Sequence, residues 1–303
     1  MEYAVEARGL RRRFGAVEAV REVSFAVRPG EVFGLVGPDG AGKTTVLRML
    51  CGLLDADEGE GRVAGLGVRE NPDAIKDCIG YMAQKFGLYA DLTVDENMDF
   101  YADLFGIPGV ARRELKGRLL RMTRMEAFGG RAAGKLSGGM RQKLSLMCTL
   151  LHKPQILFLD EPTNGVDPVS RRDFWLILED LVRGGLTVVV TTSYLDEAER
   201  CGRLGLMHQG RIVKMGSPAE LKAGLPEECY AVRGNRPRQL LQQLSGQAGV
   251  LDVKMYGAEL HLFLEPGGRV PELEAEARLE RIVPSLEDVL MAEIRRQRTQ
   301  RVA

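Results

Sequence analysis

The sequence predicts an α/β fold built around a mostly parallel β-sheet. Short, continuously apolar segments, such as residues 156–159 and 188–190, alternate with segments of helical periodicity, which is typical of strands buried on both faces. A glycine-rich loop at residues 37–42 joins a strand-like segment to a helix-like one. With 45% hydrophobic and 28% charged residues, the chain has a globular composition, which excludes disordered and collagen-like structures.

The first part of the chain is expected to form strands that lead into a helix. The segments AVEARGL, AVREVSFAV and EVFGLVG are rich in strand-forming residues and are separated by turns at residues 14–15 and 29–30. Residues 37–54 then change to helical spacing. The segments GRVAGLGV and IGYMAQ are further predicted strands.

The middle of the chain is expected to be helical and then to return to the sheet. Helices are predicted over residues 91–128, with a break at 106–108, and over 138–152. The predicted strands QILFLD and LTVVVTT flank an amphipathic helix, SRRDFWLILEDLVRGG. The segment RLGLMHQGRIVKMG is expected to form a hairpin.

The length of 303 residues predicts two domains, at roughly 150 residues per domain. The composition changes near residues 224–226, so the boundary is placed there. The first domain is expected to cover residues 1–223. Residues 224–303 are expected to form a small α+β domain, with the strands CYAVRG, VLDVKMY and ELHLFLE and two helices.

The charge balance and the cysteine content limit the classes of protein to which this chain can belong. Lys plus Arg and Asp plus Glu are both 42, which argues against a nucleic-acid partner. No charge-free run of about 18 residues is present, and the N-terminus lacks an apolar signal core, so neither a transmembrane helix nor secretion is expected. Five scattered cysteines without CxxC spacing are typical of reduced thiols in a cytosolic compartment, and three histidines argue against a histidine-based metal centre.

Residues 37–44, GPDGAGKT, match the phosphate-binding pattern GxxxxGK[ST] between a strand and a helix. Glycines let backbone N–H groups surround phosphate oxygens, and the helix N-terminus adds partial positive charge. We expect Lys43 to reach the β- and γ-phosphates and the Thr44 hydroxyl to hold Mg²⁺. The alternative is a glycine-rich turn without a ligand. The residues predicted to bind ATP in this loop are Gly37, Pro38, Asp39, Gly40, Ala41, Gly42, Lys43, Thr44 and Thr45.

Two adjacent acids, Asp160 and Glu161, end the apolar strand ILFL. This is the edge at which α/β sheets bind ligands. Asp160 is predicted to order the hydration shell of Mg²⁺, and Glu161 to orient or deprotonate the attacking water. Solvated loop carboxylates are the alternative, which the preceding phosphate loop disfavours.

The motif LSGGMRQ at residues 136–142 resembles the signature motif of ABC-type ATPases, and it precedes the acidic strand as in that family. Phe14, Gln84 in GYMAQ and Asp167 in GVD match further motifs of the family in the same order. The resemblance covers residues 3–220. The C-terminal PSLEDVL, and Met140 in the signature, are similar to ATPase subunits of ABC-2-type exporters, the drug-resistance group.

The resemblance implies a P-loop ATPase domain at residues 1–223, with an antiparallel β subdomain and a helical subdomain at about 86–155. It implies that Phe14 stacks on adenine and that Gln84 contacts Mg²⁺ and the attacking water. Phe14 could instead be a packing residue, and Gln84 a surface amide. Asp167 would belong to the D-loop of the dimer interface.

The signature residues Ser137, Gly138, Gly139 and Met140 would contact ATP held by the opposite subunit, so hydrolysis would require a dimer. They could also be a plain helix cap. The implied cofactors are ATP and Mg²⁺, and the implied partners are membrane permease subunits and a second ABC ATPase. The resemblance also implies that the permease docks on residues 93–105. The alternative is that this helical segment has only a structural role. The implied location is peripheral, on the cytoplasmic face of the membrane.

Two residues depart from the family pattern. Asp39 stands where the phosphate loop usually has Asn or Ser, and it adds a negative charge near an anionic ligand. Ser193 stands where the family has a histidine that contacts the γ-phosphate, so we also assign Ser193 to the catalytic set. Losing such a contact can lower the rate about 10²–10³-fold. The ATP site of this chain is therefore expected to be degenerate, and the chain is expected to pair with a second, competent ATPase.

Two other functions are considered beside the exporter ATPase. Ser193 also fits a regulatory subunit that binds ATP without hydrolysing it, although the intact Glu161 argues against that function. A soluble ABC mechanoenzyme acting on DNA or ribosomes is disfavoured by the neutral charge and the lack of long insertions.

Overall fold

The computed structural model describes residues 2–85, 87–271 and 277–302. The chain divides into two compact units, the first ending at Met215 and the second beginning at Gly216. The boundary expected between residues 223 and 224 therefore falls one short helix inside the second unit. No helix in these ranges has both the length and the apolar character needed to cross a bilayer.

The first unit contains strands of two sheets and the helices between them. Its strands are β1 (Val5–Phe14), β2 (Val17–Val27), β3 (Val32–Val36), β4 (Glu58–Val63), β5 (Leu66–Gly67), β6 (Ile79–Met82), β7 (Ile156–Asp160), β8 (Thr187–Thr192), β9 (Arg203–His208) and β10 (Arg211–Gly216). Its helices are α1 (Lys43–Leu50), α2 (Pro72–Cys78), α3 (Val94–Leu104), α4 (Gly109–Thr123), α5 (Gly138–Leu150), α6 (Pro168–Arg183) and α7 (Leu195–Ala198). Short 3-10 helices cover Glu126–Phe128 and Ala133–Lys135.

The core sheet has six strands in the order β10-β9-β3-β8-β7-β6, and β9, β3, β8, β7 and β6 pair in parallel. Every residue of β7 and β8 is buried, as their continuous apolar sequences predict. The antiparallel sheet has the order β2-β1-β4-β5 and shares an apolar cluster with α1 and the core sheet. The predicted α/β class with a mostly parallel core and an antiparallel subdomain is confirmed.

The helical part of the first unit is formed by α3, α4 and α5. Thr93 caps α3 through a reciprocal capping box with Glu96, and the break predicted at residues 106–108 separates α3 from α4. The Ser137 side chain accepts a hydrogen bond from Met140 N and caps α5. Helix α5 packs on both α3 and α6.

The second unit is a four-stranded antiparallel sheet with helices on its two faces. Its elements are α8 (Pro218–Ala223), β11 (Glu228–Arg233), α9 (Pro237–Leu244), β12 (Val250–Tyr256), β13 (Glu259–Leu264), β14 (Arg278–Arg281) and α10 (Leu286–Val302), with the sheet order β12-β13-β11-β14. Side chains alternate across β13, so Leu260 and Leu262 pack with α9 while Phe263 packs with Ala292 of α10. His261 therefore lies on the face that α10 covers.

Candidate nucleotide-binding site

The site lies at the carboxyl edge of the core sheet, where β3, β8, β7 and β6 end side by side. Val36 is paired with Thr192, and Asp160 with Thr191, so these neighbouring strands end at the same level. Ligands of open α/β sheets bind outside this edge. Every residue predicted for catalysis or for Mg²⁺ binding lies at this edge, either at the end of one of these strands, in the loop that follows it, or at the start of α1.

The phosphate loop between β3 and α1 is shaped by two glycines with positive φ, Gly40 at 77° and Gly42 at 101°. A Cβ at Gly42 would lie 2.4 Å from the carbonyl oxygen of Ala19, so only glycine fits there. Gly37 N donates to Thr192 O at 3.2 Å, which fixes the loop to β8. The loop thus has the backbone conformation that a phosphate cradle needs.

Lys43, at the start of α1, is only 4% exposed. Its Nζ donates to Gly37 O at 2.8 Å and to Pro38 O at 3.1 Å, and it pairs with Glu161 Oε1 at 3.0 Å. A buried ammonium and a buried carboxylate are each costly alone, so each needs the other. The Lys43 ammonium, which is predicted to bind phosphate, is therefore held by carbonyl oxygens of the phosphate loop and by Glu161.

Glu161 is 8% exposed and is held at both its side chain and its backbone. Its Oε2 accepts hydrogen bonds from Gln84 Nε2 and Asn164 Nδ2, both at 3.2 Å. Its φ of 47° is in the left-handed region, which is strained for a residue with a Cβ. Its N–H donates to the backbone oxygen and to Oγ1 of Thr191, at 3.1 and 3.0 Å, which helps to keep this conformation.

Asp160 is fully buried at the end of β7. Its Oδ1 accepts from Thr44 Oγ1 and Thr191 Oγ1, both at 2.8 Å, and Tyr81 OH lies 3.5 Å from Oδ2. A hydroxyl and a carboxylate are hard oxygen ligands of the kind that Mg²⁺ prefers, and Mg²⁺ sites often combine one or two such groups with phosphates. The residues present therefore fit the implied cation.

Ser193 follows β8 and is half-buried. The loop that contains it is fixed by Glu197, a 2% exposed carboxylate that accepts hydrogen bonds from Thr192 Oγ1, at 2.9 Å, and from Thr163 Oγ1. Burial raises the pKa of Glu197, and the hydroxyl donors oppose that shift. Arg171 also pairs with Glu197, through Nε at 3.4 Å.

Tyr194, the residue after Ser193, connects this loop to the segment after β7. Its ring lies under the Arg171 guanidinium at 3.9 Å, and its hydroxyl is 3.5 Å from Asn164 Oδ1. Asn164 in turn donates to Glu161. Ser193 is therefore next to a chain of polar contacts that leads through Tyr194 and Asn164 to Glu161.

Phe14 ends β1 and is 47% exposed, and the guanidinium of Arg12 lies 5.0 Å from its ring centroid. Phe14 pairs with Val17 of β2. Val17 is two residues, or about 7 Å along the strand, from Ala19, which lies beside Gly42 of the phosphate loop. An exposed aromatic ring at this position suits a flat base. Asp39 is exposed at the outer part of the phosphate loop.

The signature residues lie against the D-loop of the same chain. Ser137 is exposed at the N-terminus of α5, and a Cβ at Gly139 would lie 2.3 Å from Ser170 Cβ of α6. Asp167 caps α6. Its carboxylate accepts a hydrogen bond from Ser170 N–H, and this bond lowers the pKa of Asp167. The exposed helix N-terminus is free to face a second molecule.

The structure brings together Lys43, Thr44, Gln84, Asp160 and Glu161 by direct contacts. The following residues of the same network were not identified from the sequence: Tyr81, Thr163, Asn164, Thr191 and Glu197. A weak signal for one pair existed, because the polar Thr191 and Thr192 end an otherwise apolar strand at the ligand-binding edge.

This fold and this site define a P-loop nucleotide-binding domain. Residues 20–164 match the family model described as ABC transporter. The chain is 45% identical over 222 residues to the probable multidrug ABC transporter ATP-binding protein YbhF of Escherichia coli K12, which aligns 73% of this chain with 38% of that protein. The chain thus spans little more than a third of the length of that relative.

A second relative matches over nearly the whole chain. It is the Nod factor export ATP-binding protein I of Rhizobium sp. N33, 35% identical over 293 residues, which cover 95% of this chain and 96% of the relative. The dimeric post-hydrolysis structure of the ATP-binding cassette MJ0796, bound to ADP and Pi, is 25% identical with a TM-score of 0.63 over 70% of this chain and 98% of that one. The chain belongs to the family of ABC transporter ATP-binding proteins.

We expect Gly42→Ala to destabilise the first unit more than Gly40→Ala. Both substitutions put a Cβ on a left-handed residue, which costs about 1–2 kcal/mol. Only the Gly42 variant also meets the Ala19 carbonyl, because no described atom lies within 4 Å of a Cβ at Gly40. Urea unfolding of both variants without nucleotide measures the difference, and equal losses would contradict the described loop.

Proposed function

We propose that this chain binds Mg-ATP and hydrolyses it as the ATPase subunit of an ABC-2-type exporter. The observation that best supports hydrolysis is the position of Glu161, which Lys43, Gln84 and Asn164 hold by its two carboxylate oxygens at the edge of the phosphate loop. A carboxylate oriented in this way can accept a proton from a water molecule. The family membership supports the same assignment.

The contacts of Lys43 suggest how the site is activated. Phosphate oxygens in the loop offer the Nζ stronger acceptors than the carbonyl oxygens of Gly37 and Pro38. As Lys43 turns to them, Oε1 of Glu161 loses its ion pair and becomes available as a base. The amides of Gln84 and Asn164 keep Oε2 in place during this exchange. Mg²⁺, held by Thr44 and Asp160, would neutralise charge on the phosphates.

A dimer completes the site in this proposal. Ser137 is exposed and Gly138 is half-buried at the N-terminus of α5, where an anionic γ-phosphate of a second subunit would be favourably bound. The dimeric MJ0796 structure shows that a related cassette forms such pairs with ADP and Pi. Ser193 favours a second ATPase with a complete site as the partner.

The permease is proposed to dock beside α3 and α5. A cavity of about 190 Å³ opens there, and its lining includes the 51% exposed Leu53 and the 39% exposed Phe105. The exposed Tyr89 and Phe100 extend this apolar surface. An apolar pocket with open sides suits a short amphipathic helix. The relatives named for multidrug transport and Nod factor export support an exporter, whose cargo the permease would select.

We expect Glu161→Gln to lower ATP turnover about 10²–10⁴-fold, because it removes the proposed base. It should also favour an ATP-bound dimer, since one negative charge beside the γ-phosphate is lost. Phosphate release and the solution mass with and without Mg-ATP measure both effects. Glu114→Gln, at an exposed site on α4, is the matched control. Unchanged turnover in the Glu161 variant would refute the assignment. A monomer that binds ATP would indicate that a different chain is the dimer partner.

We expect Ser193→His to raise ATP turnover of the assembled complex, by up to about 10²–10³-fold, because a donor to the γ-phosphate is restored. Glu114→Gln, at an exposed site on α4, should leave the rate near that of the native chain. If the histidine variant is no faster, the site is not limited at this position. A regulatory role then gains support if single-turnover measurements on the native chain also show no product.

We expect Phe105→Ser to weaken association with the permease about tenfold or more, as for a central aromatic residue of an interface. Val283→Ser, at a 77% exposed position of the second unit, is the control. Co-purification from membranes of cells that express the chain with its permease measures the loss, and ATP affinity is measured in parallel. Full recovery of the Phe105 variant with the permease would place the docking surface elsewhere.

A further inference from the structure

A second cluster of chemically reactive side chains lies inside the second unit. Cys229 of β11, His261 of β13 and Asp288 of α10 are 3%, 4% and 3% exposed. One ligand-type atom from each, a sulfur, a nitrogen and an oxygen, all lie within 4.8 Å of one another. The three residues come from three different elements, so the tertiary fold alone brings them together.

Asp288 is oriented by the start of α10. Its Oδ2 accepts hydrogen bonds from Ser285 N and Ser285 Oγ, both at 2.8 Å. Nδ1 of His261 lies 3.1 Å from Oδ2 and 3.3 Å from Oδ1. The carboxylate is thus fixed mainly through Oδ2.

His261 is oriented on its other side. Tyr256 stacks on the imidazole, with ring centroids 4.2 Å apart and planes 18° apart. The far nitrogen Nε2 lies 3.8 Å from Oε1 of Glu259, while Nδ1 is directed at Asp288. The stacked ring and the contact with Asp288 fix the orientation of the imidazole.

Cys229 has no hydrogen bond to its sulfur among residues 2–85, 87–271 and 277–302. Its surroundings are apolar, with Phe263, Leu225 and Ala292 in the same packed cluster. Burial raises the pKa of this thiol to about 12, and the nearby Asp288 contributes to the shift.

We propose that Cys229, His261 and Asp288 bind a divalent transition metal ion of the zinc class. Sulfur, imidazole nitrogen and carboxylate oxygen are the donors such ions take, and zinc sites with three protein ligands leave a fourth position to water. A thiolate and a carboxylate together neutralise the two charges of the ion, which makes a buried site acceptable. This site could not be recognised in the sequence, which has three histidines and no CxxC spacing.

Metal binding would join α10 to β11 and β13. The thiol must lose its proton when it binds the ion, so binding releases one proton and strengthens as the pH rises. The alternative is that His261 and Asp288 form only an internal hydrogen bond at the helix cap.

The test uses the full chain after removal of metals with a chelator. Titration with Co²⁺ alone should give a thiolate-to-cobalt charge-transfer band that saturates at one ion per chain, and Zn²⁺ should displace it. Cobalt held by Thr44 and Asp160 would have only oxygen ligands and would not give this band. No charge-transfer band in the native chain, at Co²⁺ in excess, overturns the proposal without any variant.

Variants assign the ligands. Cys229→Ser should abolish the band, and Cys201→Ser, at a buried thiol of the first unit, should leave it unchanged. Circular dichroism checks that each variant is folded. A band that persists in the folded Cys229 variant overturns the assignment.

Discussion

The candidate site depends on the buried ion pair between Lys43 and Glu161. Neither charge can remain in so dry a place without the other, because an uncompensated buried charge costs about 3–5 kcal/mol. The carbonyls of the phosphate loop and the amides of Gln84 and Asn164 fill the remaining hydrogen-bond positions of the pair. The loops after three strands are thereby held to one another, and the parallel register of the sheet brings them within reach.

Much of the first unit could be predicted from the sequence, because its signals are local. The buried strands are continuously apolar, and the phosphate loop is a contiguous pattern with the residues its backbone needs. The neighbours of Glu161 could not be predicted in the same way. Asn164 is an ordinary polar residue of a turn, and its role depends on a left-handed φ at Glu161 that places the two side chains together.

In the second unit, a cluster of buried side chains could not be predicted from the sequence. Three of the four strands of this unit and the helices α9 and α10 were expected from the sequence, whereas β14 was not. The buried cluster of Cys229, His261 and Asp288 joins residues that are far apart in the chain. No spacing rule connects them, since each belongs to a different element. Only the pairing of β11 with β13, and the helix that covers them, brings them together.

The close contact of Gly139 with Ser170 has a mechanical consequence. Because a Cβ at residue 139 would lie 2.3 Å from Ser170 Cβ, α5 lies with its bare backbone against the Ser170 side chain of α6. Lys143 and Asp173 brace the same two helices further along, at 3.4 Å. A larger residue at position 139 would therefore push α6, and with it the cap residue Asp167, away from α5.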